Sequence, residues 1–339
     1  MTRRSPNLAG AAAAVLLVVG VAGLYLATHR AHPTASAPVT PAFGKLLPPM
    51  LNPPLGMGGV ADSTALAIPY VGPAKLSWSG HLPKAIGTAP VERVTLPTPV
   101  ELDAFARGVG GTLSGAWATA RVYQLPGDFN MVINHDNPVG VEPNFVISRL
   151  KAVTPAVTPV SSDAARAAAD AFLRTRGLTP TWDDAVTVTR YSSFSLTVFS
   201  VLYQREILVG SSRVPEVDRS GSPQGILVEV ESGGQVVSAD GVVRLAAQSA
   251  TYGLRPPASA VPDALVAPPA MAPDQFPSLS PFPTVALTRE QLVYIAVAAG
   301  SGTTYLEPAF LFTGTFTQGG TDFEKRVLVP ALVTSAIKS

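Results

Sequence analysis

The residues SSDAARAAADAFLRTR, at positions 161–176, set the architecture expected for this chain. Ser161 or Ser162 can cap a helix here, and Asp163 suits the positive end of the helix dipole. Small or apolar side chains are predicted to share one helical face: Ala164, Ala165, Ala168, Ala171 and Phe172. Because a face of small residues lets a helix lie close on a sheet, this stretch predicts a helix packed on the strands that follow it.

Strand-like runs follow this helix at 185–191, 194–203, 226–231 and 235–238. The sequence Ser232-Gly233-Gly234 predicts a tight hairpin turn between the last two runs. Together these residues indicate one helix on a small antiparallel sheet.

A similar unit is predicted before it. Thr98-Pro99-Val100-Glu101 forms a capping box with proline at the first helical position, which predicts a helix over 98–108. One helical face is apolar: Leu102, Phe105, Ala106 and Val109. Strand-like runs follow at 121–124, 129–133 and 144–150.

A third unit is predicted near the C-terminus. Thr288-Arg289-Glu290-Gln291 is interpreted as a further capping box. The apolar helical face would hold Leu292, Ile295, Ala296 and Ala299. Paired strands are expected at 305–316 and 327–333, joined by a turn at 318–321.

The N-terminal region predicts a membrane anchor. Residues 8–28 carry neither charge nor proline and, at about 1.5 Å per residue, reach about 30 Å, the thickness of one hydrocarbon core. Arg3 and Arg4 precede this span, so the positive-inside bias places the N-terminus in the cytoplasm. A cleaved signal peptide is the alternative, although the A-x-A site at 35–37 lies far beyond the apolar run and Pro38 follows it.

The predicted fold class is therefore α+β, with an N-terminal transmembrane helix followed by two or three units of one helix packed on a small antiparallel sheet. The predicted organisation has seven parts: a cytoplasmic N-terminus (1–7), the transmembrane anchor (8–28), a proline-rich stalk (29–60), a first α+β unit (61–155), a second α+β unit (156–255), a proline-rich connection (256–285) and a C-terminal unit of one helix plus a β-hairpin (286–339).

The second unit resembles a PepSY-like extracytoplasmic domain. The resemblance is carried by the A-x-x-A-x-x-F-L spacing of the helix, Gly177, the strand ending in residues 201–205, and the glycine hairpin with the strands beside it. Residues 305–314 are also similar to the end of membrane-anchored accessory regulators of histidine kinases, of the YycH/YycI type. The resemblance implies a bitopic envelope protein with a non-catalytic sensing, inhibitory or partner-binding ectodomain.

The composition excludes several kinds of site. The chain lacks cysteine, so it has neither disulfides nor a thiolate metal site. The formal net charge of +1 argues against nucleic-acid binding, which needs a basic face. His135 and Asp136 fall in a sequence that is typical of a turn, and no metal, cofactor or catalytic residue is predicted there.

Two patterns have a spacing that also occurs in catalytic sites. Ser148 and Lys151 match an S-x-x-K spacing, but they end a strand-like run in which positions i and i+3 face opposite sides. Glu229 and Glu231 lie about 7 Å apart on one strand face, a spacing that would suit an inverting glycosidase and that an ordinary exposed strand face also explains. Neither pattern is taken as a site.

The function expected is that of a single-pass, membrane-anchored extracytoplasmic binding or regulatory protein of the cell envelope, which is not an enzyme and has an envelope protein as a partner. The alternatives are a structural envelope scaffold, or an envelope hydrolase that acts on wall polymer or peptide.

Overall fold

The computed structural model describes residues 42–49, 51, 68–70, 72–135, 142–151, 160–182, 185–193, 196–231, 233–267, 282–300 and 302–337. The predicted anchor at 8–28, most of the stalk and residues 268–281 of the proline-rich connection lie outside this part. Within it, no helix is both long enough and apolar enough to cross a bilayer.

The described part holds three α-helices: α1 (Pro99–Gly108), α2 (Ser162–Thr175) and α3 (Pro257–Val266). The predicted capping box of α1 is confirmed, because Thr98 N donates to Glu101 Oε2 at 2.7 Å and Glu101 N donates to Thr98 Oγ1 at 3.4 Å. Ser161 Oγ caps α2 by accepting from Ala164 N at 3.2 Å. Both predicted helices are thus present with their caps.

The buried face of α2 differs from the predicted one. The buried residues are Ala165, Ala169 and Leu173, whereas Ala164 and Ala171 are exposed. Ala165, Ala169 and Leu173 are four residues apart and so lie on one face of the helix. Burial of this face is favoured because it brings Leu173, which is larger than the alanines, into the core.

The same part holds eighteen strands: β1 (Ile68–Tyr70), β2 (Lys75–Trp78), β3 (Thr88–Thr95), β4 (Thr112–Ala116), β5 (Ala120–Leu125), β6 (Phe129–Asn134), β7 (Asn144–Arg149), β8 (Ala185–Ser193), β9 (Leu196–Gln204), β10 (Glu206–Val209), β11 (Ser212–Val217), β12 (Gly225–Glu231), β13 (Val236–Val242), β14 (Ala247–Gly253), β15 (Thr284–Leu287), β16 (Arg289–Gly300), β17 (Thr303–Gln318) and β18 (Thr321–Pro330). The described part of the protein is therefore mostly β.

Eight antiparallel strands form one sheet, in the order β4-β5-β6-β7-β13-β12-β9-β8, which we call the helix-covered sheet. Its two halves each follow a helix, and they join where β7 pairs with β13. Leu102 and Ala106 of α1 and Ala165, Ala169 and Leu173 of α2 share one apolar core with this sheet. Eight strands of the first two predicted units thus form one large sheet, which corrects the expectation of separate small sheets, and the other strands of these units pair elsewhere: β1, β2, β3, β10, β11 and β14.

A second sheet of eight strands, the mixed sheet, holds the path β1-β18-β17-β16-β11-β10, with β3 beside β17 and β14 beside β3. The long strand β17 pairs with β3 over Thr303–Leu306 and with β18 over Ala309–Gln318. A short parallel pair, β2 and β15, packs against β17, and α3 packs against β18 and β2.

The predicted third helix is wrong, because residues 289–300 form the strand β16. Val293, Tyr294, Ile295 and Val297 favour an extended chain, and all four are buried in the mixed sheet. Both faces of β16 are covered over much of its length. Its apolar residues therefore do not alternate strictly with polar ones, and some of them have the spacing of a helical face by coincidence. The following hairpin of β17 and β18 is confirmed, although β18 begins six residues before the predicted position 327.

The two sheets are tied by an excursion of the chain. After β9 the chain leaves the helix-covered sheet, forms the hairpin of β10 and β11, and returns as β12. β11 joins β16 in parallel through two register pairs, Glu216 with Tyr294 and Val217 with Ile295.

Candidate functional site

A buried cluster of charges lies beside this junction. Arg244, which follows β13, donates through Nε to Glu142 Oε1 at 2.7 Å and through Nη1 to Glu216 Oε2 at 2.9 Å. Its side chain is 7% exposed, against 3% for Glu142 and 4% for Glu216. Arg244 therefore connects the segment before β7 with strand β11 through charge-assisted bonds that are shielded from water.

Arg244 and Glu216 favour the charged form of each other. Burial alone would raise the pKa of Glu216, but the neighbouring Arg244 guanidinium outweighs it and the pKa is lowered. Likewise, burial opposes the charge of Arg244, and Glu216 and Glu142 more than offset it, so the pKa of Arg244 is raised. Because its donors are engaged by protein carboxylates, the cluster acts as a joint between the sheets.

A gap lies beside the paired part of β11 and β16. The two strands pair only at the register positions given above, and ahead of those positions residues 212–214 and 290–292 separate and line a cavity of about 230 Å³. We call this cavity the fork cavity.

Glu290 is the distinctive group of the fork cavity. The residue is 8% exposed, and neither of its carboxylate oxygens has a hydrogen-bond partner. Burial raises its pKa to about 7. A buried carboxylate without a partner is costly, because ionisation in an apolar surrounding is opposed unless a cation or hydrogen-bond donors meet the charge.

The surroundings of Glu290 are largely apolar. The apolar lining consists of Pro83, Ile86, Val214, Leu254, Pro257, Leu292 and Phe310. Two basic residues also border the cavity. Arg213 is half-exposed and lies 3.7 Å from the Glu206 carboxylate, and Lys84 is exposed. The cavity thus combines one buried carboxylate with a mostly apolar lining.

The structure separates the two residues of the S-x-x-K pattern. Ser148 lies in β7 opposite Asn130 and Ser238, whereas Lys151 Nζ donates to Asp128 Oδ2 at 2.9 Å on the exposed surface. No serine–lysine pair forms.

The two carboxylates of the Glu229 and Glu231 pattern have different surroundings. Ser238 Oγ donates to Glu229 Oε2 at 2.7 Å, and Glu231 is buried with Oε1 unpartnered. Asp136 lies outside the described residues, and among those that are described no three His, Cys, Asp or Glu side chains come together as metal ligands.

Sequence reasoning missed the fork cavity because it interpreted Glu290 as part of a helix cap. The available signal was a single acidic residue followed by strand-forming residues: Val293, Tyr294, Ile295 and Val297. Even a correct strand prediction would not have placed residues 212–214 beside Glu290, since that proximity depends on parallel pairing between distant segments.

The comparisons with known proteins give distant structural likenesses only. No protein family and no curated protein matches the chain. Among solved structures, the chain is similar to an uncharacterized protein from Eubacterium rectale, with 9% identity, a TM-score of 0.36, and coverage of 72% of this chain and 82% of that chain. It is also similar to YycH from Bacillus subtilis, with 12% identity, a TM-score of 0.34, and coverage of 72% and 53%. The predicted YycH likeness is thus found as a distant match in structure, and the PepSY-like assignment stays a prediction.

Proposed function

We propose that this protein is a non-catalytic extracytoplasmic binding protein, anchored by residues 8–28, whose fork cavity holds a protonated amine on a short apolar body. One observation carries the proposal: Glu290 is a buried carboxylate whose two oxygens lack hydrogen-bond partners within an apolar cavity. An ammonium group would supply both the opposite charge and the missing donors.

The geometry favours a small occupant. A cavity of about 230 Å³ has room for a free alkylamine or for one lysine side chain of a partner protein, which share the same chemistry. The walls formed by Leu254, Leu292 and Phe310 would contact the methylene groups. Arg213, which also lines the cavity, lies 3.7 Å from the carboxylate of Glu206.

The pKa of Glu290 gives the binding a defined pH dependence. Since this pKa is raised to about 7, the carboxyl group is mostly protonated below that pH and ionised above it. An ammonium ion pairs with the ionised form only. Affinity for an amine is therefore expected to rise between pH 6 and pH 8.

The test is calorimetric titration of the full chain in detergent with butylamine, Nα-acetyl-lysine amide and butan-1-ol. We expect both amines to bind and the alcohol to bind at least about tenfold more weakly, which is about 1.4 kcal/mol. Glu290→Gln should remove this preference for amines while it keeps the shape of the side chain. Asp322→Asn, an exposed carboxylate in β18, is the matched control and should bind as the wild type does.

Equal binding of butylamine and butan-1-ol, or full amine binding by Glu290→Gln, would contradict the proposal. Binding of butylamine without the lysine derivative would point to a free metabolite rather than a protein side chain. The anchored location rests on the sequence of residues 8–28, and release of the chain from membranes by a carbonate wash would overturn it.

A further inference from the structure

A second cavity lies by the opposite face of the mixed sheet. Alternate residues of β16 line it, namely Arg289, Gln291 and Val293, whereas Glu290 and Leu292 line the fork cavity. Its volume is about 280 Å³, and Gln291 borders both cavities. We call it the arginine cavity.

Two arginines flank a threonine in one lateral row of this cavity. Arg289 in β16 is directly opposite Thr313 in β17, and Thr313 is directly opposite Arg326 in β18. Directly opposite residues on antiparallel strands share a face, with their Cβ atoms about 5 Å apart. The three side chains thus present hydrogen-bond donors side by side across three strands.

The protein holds Arg326 in place and leaves the row with an excess of positive charge. Arg326 Nε donates to Glu324 Oε2 at 2.6 Å, and Nη1 donates to Ser222 Oγ at 3.1 Å. Arg289 Nη2 instead donates to the neutral amide of Gln291 at 3.3 Å. Two arginines against one glutamate in the lining leave one net positive charge.

Three apolar residues also line the cavity beside this row. Val217, Val293 and Leu311 belong to one buried apolar cluster and also line the cavity. A ligand that suits both regions has a single negative charge at one end and a short aliphatic body at the other.

We propose that the arginine cavity binds a monocarboxylate with a short aliphatic body. Arg289 would meet the carboxylate with its planar guanidinium, which matches a carboxylate through two parallel hydrogen bonds. The Thr313 hydroxyl lies next in the row, and the aliphatic body would contact the exposed edge of Leu311. A phosphate dianion fits less well, because it would need two positive charges and would leave the apolar lining without a partner.

The experiment titrates the full chain in detergent with butyrate, butanamide and inorganic phosphate. We expect butyrate to bind at least about tenfold more tightly than butanamide or phosphate. Arg289→Gln should weaken butyrate binding at least about tenfold, and Thr313→Val should weaken it less. Arg190→Gln, which removes an exposed arginine on the edge strand β8, is the control and should leave butyrate binding unchanged.

This inference is independent of the amine site. Glu290→Gln should keep butyrate binding, and Arg289→Gln should keep butylamine binding, so the failure of one site is distinguishable from the failure of the other. Equal binding of butyrate and butanamide, or unchanged butyrate binding by Arg289→Gln, would overturn the proposal. Tighter binding of phosphate than of butyrate would overturn the assignment to carboxylates.

Discussion

The helix-covered sheet and the mixed sheet differ in how many charged side chains they bury. Beneath α1 and α2 the core is formed by aliphatic and aromatic residues, and its residues come from consecutive strands. Among the described strand residues, the helix-covered sheet buries one charged side chain, Glu231, whereas the mixed sheet buries four: Glu216, Glu290, Glu307 and Lys325. The first arrangement is suited to stability, whereas the second carries groups whose charge costs free energy in the folded state and can respond to ligands or pH.

The largest expected effect is at the joint between the sheets. Arg244→Met would leave Glu142 and Glu216 buried without their cation, which should lower the free energy of unfolding by about 3–5 kcal/mol. The measurement is urea unfolding at pH 7.

The matched control for the joint lies on the helix-covered sheet. Arg121 pairs with Asp103 at 2.7 Å, and their side chains are 16% and 23% exposed. Because water screens this pair more, Arg121→Met should cost about 1 kcal/mol. Equal losses in the two variants would contradict the role given to Arg244.

The next effect concerns the core beneath the helices. Leu173→Ala removes a side chain that is 1% exposed in α2, and we expect a loss of about 3 kcal/mol from lost burial and the cavity left behind. Urea unfolding measures the loss, and Val100→Ala, at a position 73% exposed in α1, serves as the neutral control. Leu173→Ala should still bind amines at Glu290, because Leu173 packs on the helix-covered sheet and Glu290 lies in the mixed sheet. Loss of amine binding would show that damage to the core of one sheet also disturbs the other.

The smallest effect is a dependence of stability on pH. Burial raises the pKa of Glu307 to about 8 from its ordinary 4.5. The folded protein therefore binds this proton more tightly than the unfolded chain does, and stability should fall as pH rises from about 4.5 to about 8. Glu307→Gln should remove most of that fall, as measured by unfolding at several pH values.

Asp240 provides the comparison in the helix-covered sheet. Burial, together with the nearby charge of Glu229, raises its pKa from 3.8 to about 6. The pH range over which its protonation affects stability is therefore narrower than that of Glu307. Asp240→Asn should therefore change the pH dependence by a smaller amount and only below about pH 6. A larger change from Asp240→Asn than from Glu307→Gln would reverse the contrast drawn between the sheets.

The same contrast explains which features could be predicted from the sequence. The capping box at Thr98, the cap at Ser161 and the strands near α1 and α2 depend on neighbouring residues, and these predictions are confirmed. The mixed sheet joins distant segments, such as β1 with β18 and β11 with β16. Local patterns contain no information about such pairings, so the fork cavity could not be foreseen, and a helical spacing in β16 was mistaken for a helix.

Strand β17 shows how a proline can define the alignment of a sheet. Pro308 lies between the residues that pair with β3 and those that pair with β18. Its carbonyl accepts from Ala331 N at 3.2 Å. In an antiparallel ladder the N–H and C=O of one residue point to the same side of the strand. The N–H that proline lacks would therefore point to the side on which β3 ends and β18 begins. If β17 shifted, Pro308 would face a strand whose carbonyl needs an N–H donor, and proline has none. Pro308 therefore disfavours a shift of the longest strand and marks the point at which the sheet branches.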